Sequence, residues 1–182
     1  RLPDLAPERP VALGRAKVNA VCALPDGGWL VGTEAGAVAR VSAAGEVAWQ
    51  RQAHGADKYE EGNPHANCCS VVAAPDGRWL ASAATDHTAR VFTPEGEPLW
   101  RISTGFGLFN RLAVSPDGRL LAVPADGLLA LWEVATGRRV AALPRACFFG
   151  ETLAGGCWLP DGALVMLTDA GRLFTVREEG AA

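Results

Sequence analysis

No run in this 182-residue chain approaches the roughly 20 apolar residues that a membrane-crossing helix needs, and the membrane is therefore not an expected partner. Charge is sparse and nearly balanced: 20% of residues are charged and the net charge is −3. A basic stripe with interleaved aromatics, the footprint that a polyphosphate backbone demands, is missing, so nucleic acid is not expected either. The five cysteines (Cys22, Cys68, Cys69, Cys147, Cys157) are an odd number without framework spacing. They read as small buried hydrophobes of a reducing compartment, and a cytoplasmic setting is expected. No signal peptide is visible, and the opening at Arg1 without Met suggests a trimmed or processed start. Richness in Ala, Gly and Arg suggests a bacterial source of high genomic GC.

Signatures of chemistry are equally scarce. There is no Gly-x-Ser-x-Gly elbow and no local Cys–His signature of a nucleophile. The one glycine-rich candidate, Thr104 to Asn110, has Gly105-x-Gly107 without a third Gly, and reads as a strand connection. His54, His65, Cys68 and Cys69 lie near one another in sequence, as do Asp86 and His87, but none shows the paired spacing that zinc favours. Adjacent Cys68 and Cys69 would point to opposite faces of a strand. No catalytic residue, metal or cofactor is therefore expected. Titratable candidates for a site in a central channel reduce to His54, His65 and His87.

What the chain does have is repetition. Pro-Asp-Gly occurs at Pro25–Gly27, Pro75–Gly77, Pro116–Gly118 and Pro160–Gly162, at intervals of 50, 41 and 44 residues, each time between apolar runs. Pro presets φ, Asp bonds its own backbone, and Gly accepts φ > 0, so each copy is a tight turn between strands. In the second copy, Ser70–Ala74, Trp79–Ala84, Thr88–Phe92 and Pro98–Arg101 read as four short strands joined by turns. A period of roughly 40–45 residues built this way predicts an all-β propeller of four-stranded antiparallel blades. Four blades are expected, at about 17–51, 67–102, 108–143 and 151–177, between a leader 1–9 and a tail 178–182. The last copy supplies only three strands. Residues 10–14 resemble the fourth strands and are expected to complete it, removing exposed edges. Three assemblies remain open: closure of this chain alone, two chains forming an eight-bladed ring with exchanged N-terminal strands, or a segment of a longer propeller.

The run Leu80 to Phe92, with Asp86-His87-Thr88 at its centre, resembles the WD40 repeat, Phe92 standing at the family's Trp. Leu120 through Asp126-Gly127 to Leu131-Trp132 is similar. The resemblance implies a buried hydrogen-bonded set in which Asp86, Asp126 and Trp132 match by position. His65 lies near the family's Gly-His, although Pro64 precedes it. Copies one and four depart at the turn, with Ala35-Gly36 and Ala170-Gly171, so their sets cannot form in the family's way. Gly45-x-x-x-Trp49 and Gly96-x-x-x-Trp100 resemble quinoprotein-type propellers, in which an outer-strand Trp docks on the next blade.

The connections from a fourth strand to the next first strand emerge together on one face. They are residues 52–67, 103–110 and 144–156, carrying Tyr59, Phe106, Phe109, Phe148 and Phe149, with an acidic rim at Glu60 and Glu61. Aromatics on loops of a rigid scaffold favour interfaces. The expected function is thus a non-catalytic protein-interaction scaffold. Its expected partner is a protein or peptide, or a second copy of itself; the alternatives are a half-ring whose role is assembly and an enzyme with a channel site.

Overall fold

The computed structural model describes residues 10–55, 67–104, 111–125 and 128–177. Fifteen strands and one short 3-10 helix are defined among them. Blade 1 contains β1 (Val18–Ala23), β2 (Trp29–Thr33), β3 (Ala37–Val41) and β4 (Val47–Gln52). Blade 2 contains β5 (Cys68–Ala73), β6 (Leu80–Ala84), β7 (Thr88–Phe92) and β8 (Pro98–Ser103). Blade 3 contains β9 (Ala113–Val114), β10 (Leu120–Ala125), β11 (Leu128–Glu133) and β12 (Arg138–Pro144). The 3-10 helix Arg145–Phe148 leads to blade 4, with β13 (Leu153–Trp158), β14 (Leu164–Thr168) and β15 (Leu173–Val176). Every sheet is antiparallel and ordered as its strands occur in sequence. The four sheets do not close into a ring.

The Pro-Asp-Gly turns form as their residue chemistry dictates. Gly27, Gly77, Gly118 and Gly162 donate their amides back to the carbonyls of Leu24, Ala74, Ser115 and Leu159 at 2.9–3.0 Å. All four sit at φ between 68° and 83°, the left-handed region that only glycine enters freely. Each turn Asp accepts the amide two residues on, at 3.0–3.1 Å. That bond is the largest cause holding the Asp26, Asp76 and Asp161 carboxyls below their ordinary value. At Asp117 the Ser115 hydroxyl contributes still more.

The core lies between blades rather than within them. Leu24, Leu30, Val38, Cys68, Val71, Leu80 and Phe92 fill the space between blades 1 and 2. Trp79, Ala81, Ala83, Val91, Leu112, Leu121 and Val123 fill the next, and Leu129, Phe148, Leu164 and Met166 the third. The first joint is so close that a methyl group on Gly32 would stand 2.5 Å from Cys68 Sγ. Successive turns nest, since methyl groups on Gly77 and Gly118 would lie 3.4 and 3.3 Å from Pro25 and Pro75.

Outer-strand tryptophans lock the joints. Trp49 Nε1 on β4 donates to Pro94 O at 2.9 Å, and Trp100 Nε1 on β8 donates to Val134 O at 3.0 Å. Their rings lie over Gly96 and Gly137, the turns before the outer strands of the following blades. Arg40 adds a bond to Pro94 O, and Arg51 pairs with Glu97.

One expectation is corrected. Residues 10–14 form no strand, and the sheet of blade 4 has three strands with β15 at its edge. Val11 instead stands against blade 1, where a methyl group on Gly45 would be 3.3 Å from its Cγ2. A segment lying against blade 1 cannot also hydrogen-bond to β15 of an unclosed array.

Candidate interaction surfaces

The most polar buried constellation joins the end of blade 1 to blade 2. His54 follows β4 and inserts into blade 2. Its Nε2 is 2.7 Å from Ser82 Oγ on β6. Its Nδ1 lies 3.1 Å from both carboxylate oxygens of Asp86 and 3.2 Å from Thr88 Oγ1. Thr88 also gives Asp86 its amide, at 3.1 Å, and its hydroxyl, at 2.8 Å. Burial works to raise the Asp86 carboxyl. The His54 hydrogen bond and charge, with Thr88, outweigh it and hold the group below its ordinary value.

Hydroxyl, imidazole and carboxylate in this order have the distances of a nucleophilic triad. Access decides what they do: Ser82 is 0% exposed and His54 1% exposed, so no substrate carbonyl can reach the hydroxyl. This set is a bracket that fixes the connecting loop to the blade. The residue filling the histidine position is His54, weighed in the sequence as a metal ligand and as a channel-site candidate but not for this place; His65 lies outside the described residues. The two neighbouring thiols diverge, Cys68 towards Gly32 and Cys69 Sγ towards Asn67 O at 3.2 Å. Burial, with a smaller push from Cys69, raises the Cys68 thiol to about 12.

The other blades are wired differently. In blade 3, Trp132 Nε1 is buried without a hydrogen-bond partner among the described residues. On β10, Val123 stands at the position of Ser82 and supplies no hydroxyl to this blade. Trp132 acts by packing, its ring 6.2 Å from that of Trp100. Asp126 lies outside the described residues. In blade 4 the polar contact lies elsewhere, at the end of β14: Thr168 Oγ1 donates to Glu151 Oε2 at 2.6 Å, and Arg172 pairs with Glu151 at 3.2 Å.

Antiparallel order puts the connections between blades on one face and the Pro-Asp-Gly turns on the other. On the loop face, Tyr59, Glu60, Glu61, Phe106 and Phe109 lie outside the described residues. Phe148 and Phe149 separate sharply. Phe148 is 2% exposed and packs edge-on to Phe174 at 5.4 Å. As a surface anchor it is thus corrected to core, because the 3-10 helix turns its ring inward. Phe149 is 75% exposed. Its φ of 55° is a left-handed conformation that costs a non-glycine residue energy. Phe174 lies 5.9 Å from its ring, and the Arg172 guanidinium stands 5.3 Å over it.

The turn face carries what sequence reading missed. A groove of about 540 Å³ runs between blades 2 and 3, walled by Trp79, Trp100, Leu99, Arg78, Arg119 and Glu133 among others. Trp79 Nε1 is fixed to Gly118 O at 2.9 Å, and Arg119 to Glu133 at 3.5 Å. A smaller groove of about 340 Å³ lies between blades 1 and 2, lined by Pro25, Asp26, Arg40, Asp76 and Pro94 among others. The available signal was the outer-strand Trp beside an exposed Leu99.

Residues 60–93 match the family model "WD domain, G-beta repeat". No curated protein matches the chain. Among solved structures, the chain is similar to the β-propeller domain of Cps50 (Swd1) from Myceliophteria thermophila. The TM-score is 0.65 at 19% identity, over 88% of this chain and 53% of that one. The chain thus spans about half the length of the propeller it matches, and the likeness carries the fold.

Proposed function

We propose, from the premise that this chain is a WD40-like propeller repeat protein, that it is a non-catalytic scaffold presenting its loop face to a protein or peptide partner. Propellers of this type generally serve as interaction scaffolds. The observation carrying the choice of face is Phe149: a large apolar ring, mostly exposed, held in a costly backbone conformation and backed by Phe174 and Arg172. A preorganised aromatic of this kind suits an interface anchor, because little side-chain freedom remains to be lost on binding. Arg172, itself held by Glu151, backs the ring and helps to fix its position. The groove at Leu99 and Trp100 supports a second reading, in which an extended segment lies on the turn face.

The test compares immobilised wild-type chain with Phe149→Ala and Leu99→Ala for the proteins each captures from cell extract. A hot-spot loss of about 2 kcal/mol is a roughly thirty-fold weaker complex. Loss of a partner with Phe149→Ala, and its retention with Leu99→Ala, supports the loop face. The opposite pattern moves the site to the groove. Capture indifferent to both substitutions rejects both surfaces.

A further inference from the structure

We propose that the groove between blades 2 and 3 holds an extended acidic peptide, with an apolar side chain on Leu99 and a carboxylate side chain between Arg78 and Arg119. This deepens the second reading above, on which it rests, by naming the partner's chemistry. The geometry begins with a bulge in β8. Trp100 pairs with Val91 and Pro98 with Phe92, which leaves Leu99 opposite no residue. A bulge re-aims the extra side chain, and Leu99 stands 49% exposed on the groove wall. Beside it, Trp100 is fixed by its bond to Val134 O and Trp79 by its bond to Gly118 O. Both indole N–H groups are engaged within the fold, so this wall is apolar. Walls held in place this way lose little freedom when a ligand arrives.

The rest of the lining is cationic. Arg78 and Arg119 border the groove with side chains 64% and 68% exposed. Each has a carboxylate neighbour that leaves guanidinium donors over. Arg78 meets Asp76 through Nε, while its Nη2 would lie 3.8 Å from a methyl group on Gly118 of blade 3. Arg119 meets Glu133 through one Nη at 3.5 Å, and Glu133 also accepts the Thr136 hydroxyl at 2.8 Å. Glu133 is the only carboxylate among the described lining residues, so two guanidinium groups face one acid. The groove between blades 1 and 2 has the opposite sign. It carries Asp26 and Asp76 with Arg40, whose two Nη groups go to Pro94 O and to Asp26. The bulge residue of that joint is Ala48, so it brings neither the cations nor a large apolar side chain. At the joint of blades 2 and 3, a ligand carboxylate takes charge-assisted bonds from the remaining guanidinium N–H groups. An apolar neighbour buries its side chain against Leu99 and Trp100. Successive side chains of an extended chain point to opposite sides, so consecutive residues address the two kinds of wall.

The test is the fluorescence anisotropy of labelled Thr-rich peptides, which favour extended backbone, carrying Leu and Glu side by side, titrated with the 182-residue chain. Wild type should bind the Leu-Glu peptide, and the same peptide with Gln for Glu about tenfold more weakly. Leu99→Ala should weaken the Leu-Glu peptide about tenfold, and so should Arg78→Gln combined with Arg119→Gln, while Phe149→Ala leaves it unchanged. The double Gln variant should no longer distinguish the Glu peptide from the Gln peptide. Absence of binding to wild type overturns the proposal, as does equal binding of the two peptides, or a loss on Phe149→Ala as large as that on Leu99→Ala. If no peptide binds while Leu99→Ala still loses a protein captured from extract, the groove remains an interface and its acidic chemistry is what is rejected. Should Leu99→Ala fail to fold by circular dichroism, Leu99→Thr carries the same comparison.

Discussion

Replacing His54 with alanine tests whether the buried bracket is structural. The substitution removes the bond from Nε2 to Ser82 at 2.7 Å and the contact with Asp86 at 3.1 Å. The Asp86 side chain, 6% exposed, keeps the two bonds from Thr88 and has Arg90 at 3.9 Å. Leaving a buried carboxylate short of a hydrogen-bond partner costs about 3 kcal/mol or more. The Thr88 bonds place this case near the lower end, about 3 kcal/mol. With a urea dependence of about 2 kcal/mol per molar, the midpoint should fall by about 1.5 M at neutral pH and matched protein concentration. The pH dependence follows from Asp86. Its folded value lies below the unfolded value of about 3.9, so its stabilisation is fully present above that pH. It is lost as pH falls through the folded value. In His54→Ala, burial acts on the carboxyl without the imidazole to offset it, so the gap between variant and wild type should narrow below about pH 4. A midpoint within about 0.3 M of wild type at neutral pH would refute the bracket as a stabilising element.

Two further outcomes follow from the first joint. Gly32→Ala sets a methyl group 2.5 Å from Cys68 Sγ and 3.1 Å from Val71 Cγ1. It should cost about 1–3 kcal/mol by overpacking, read in the same urea titration, and Cys68→Ala should relieve part of that cost. Thiol labelling of the native protein should modify the exposed Cys147 and Cys157 quickly, and Cys68 only after unfolding. Rapid labelling of Cys68 would contradict its burial.

The propeller was legible because its signals are local. Pro-Asp-Gly closes a turn through bonds that span three residues, so the spacing of four copies reveals four blades without knowledge of their contacts. Trp49 and Trp100 were legible for a similar reason, each following a turn glycine at fixed distance. The bracket was not. His54 precedes β5 by a long connection, and only the fold brings it against Ser82 and Asp86, 28 and 32 residues away. Phe148 and Phe149 are indistinguishable as letters; one 3-10 turn sends the first inward and the second out. Residues 10–14 carry the letters of an outer strand, yet they form none and lie against blade 1. Sequence similarity to an outer strand does not say which blade the segment touches.

The nesting of Pro25 on Gly77 and of Pro75 on Gly118 has a consequence for how such a protein grows. Each turn is at once a knob for its successor and a socket for its predecessor. A duplicated stretch of coding sequence that carries one turn brings both halves of the fit with it. Insertion between two existing blades then restores complementary contacts on either side, with no accompanying substitution. The number of blades becomes a matter of copying, while closure of the circle is left to whatever meets the first and the last.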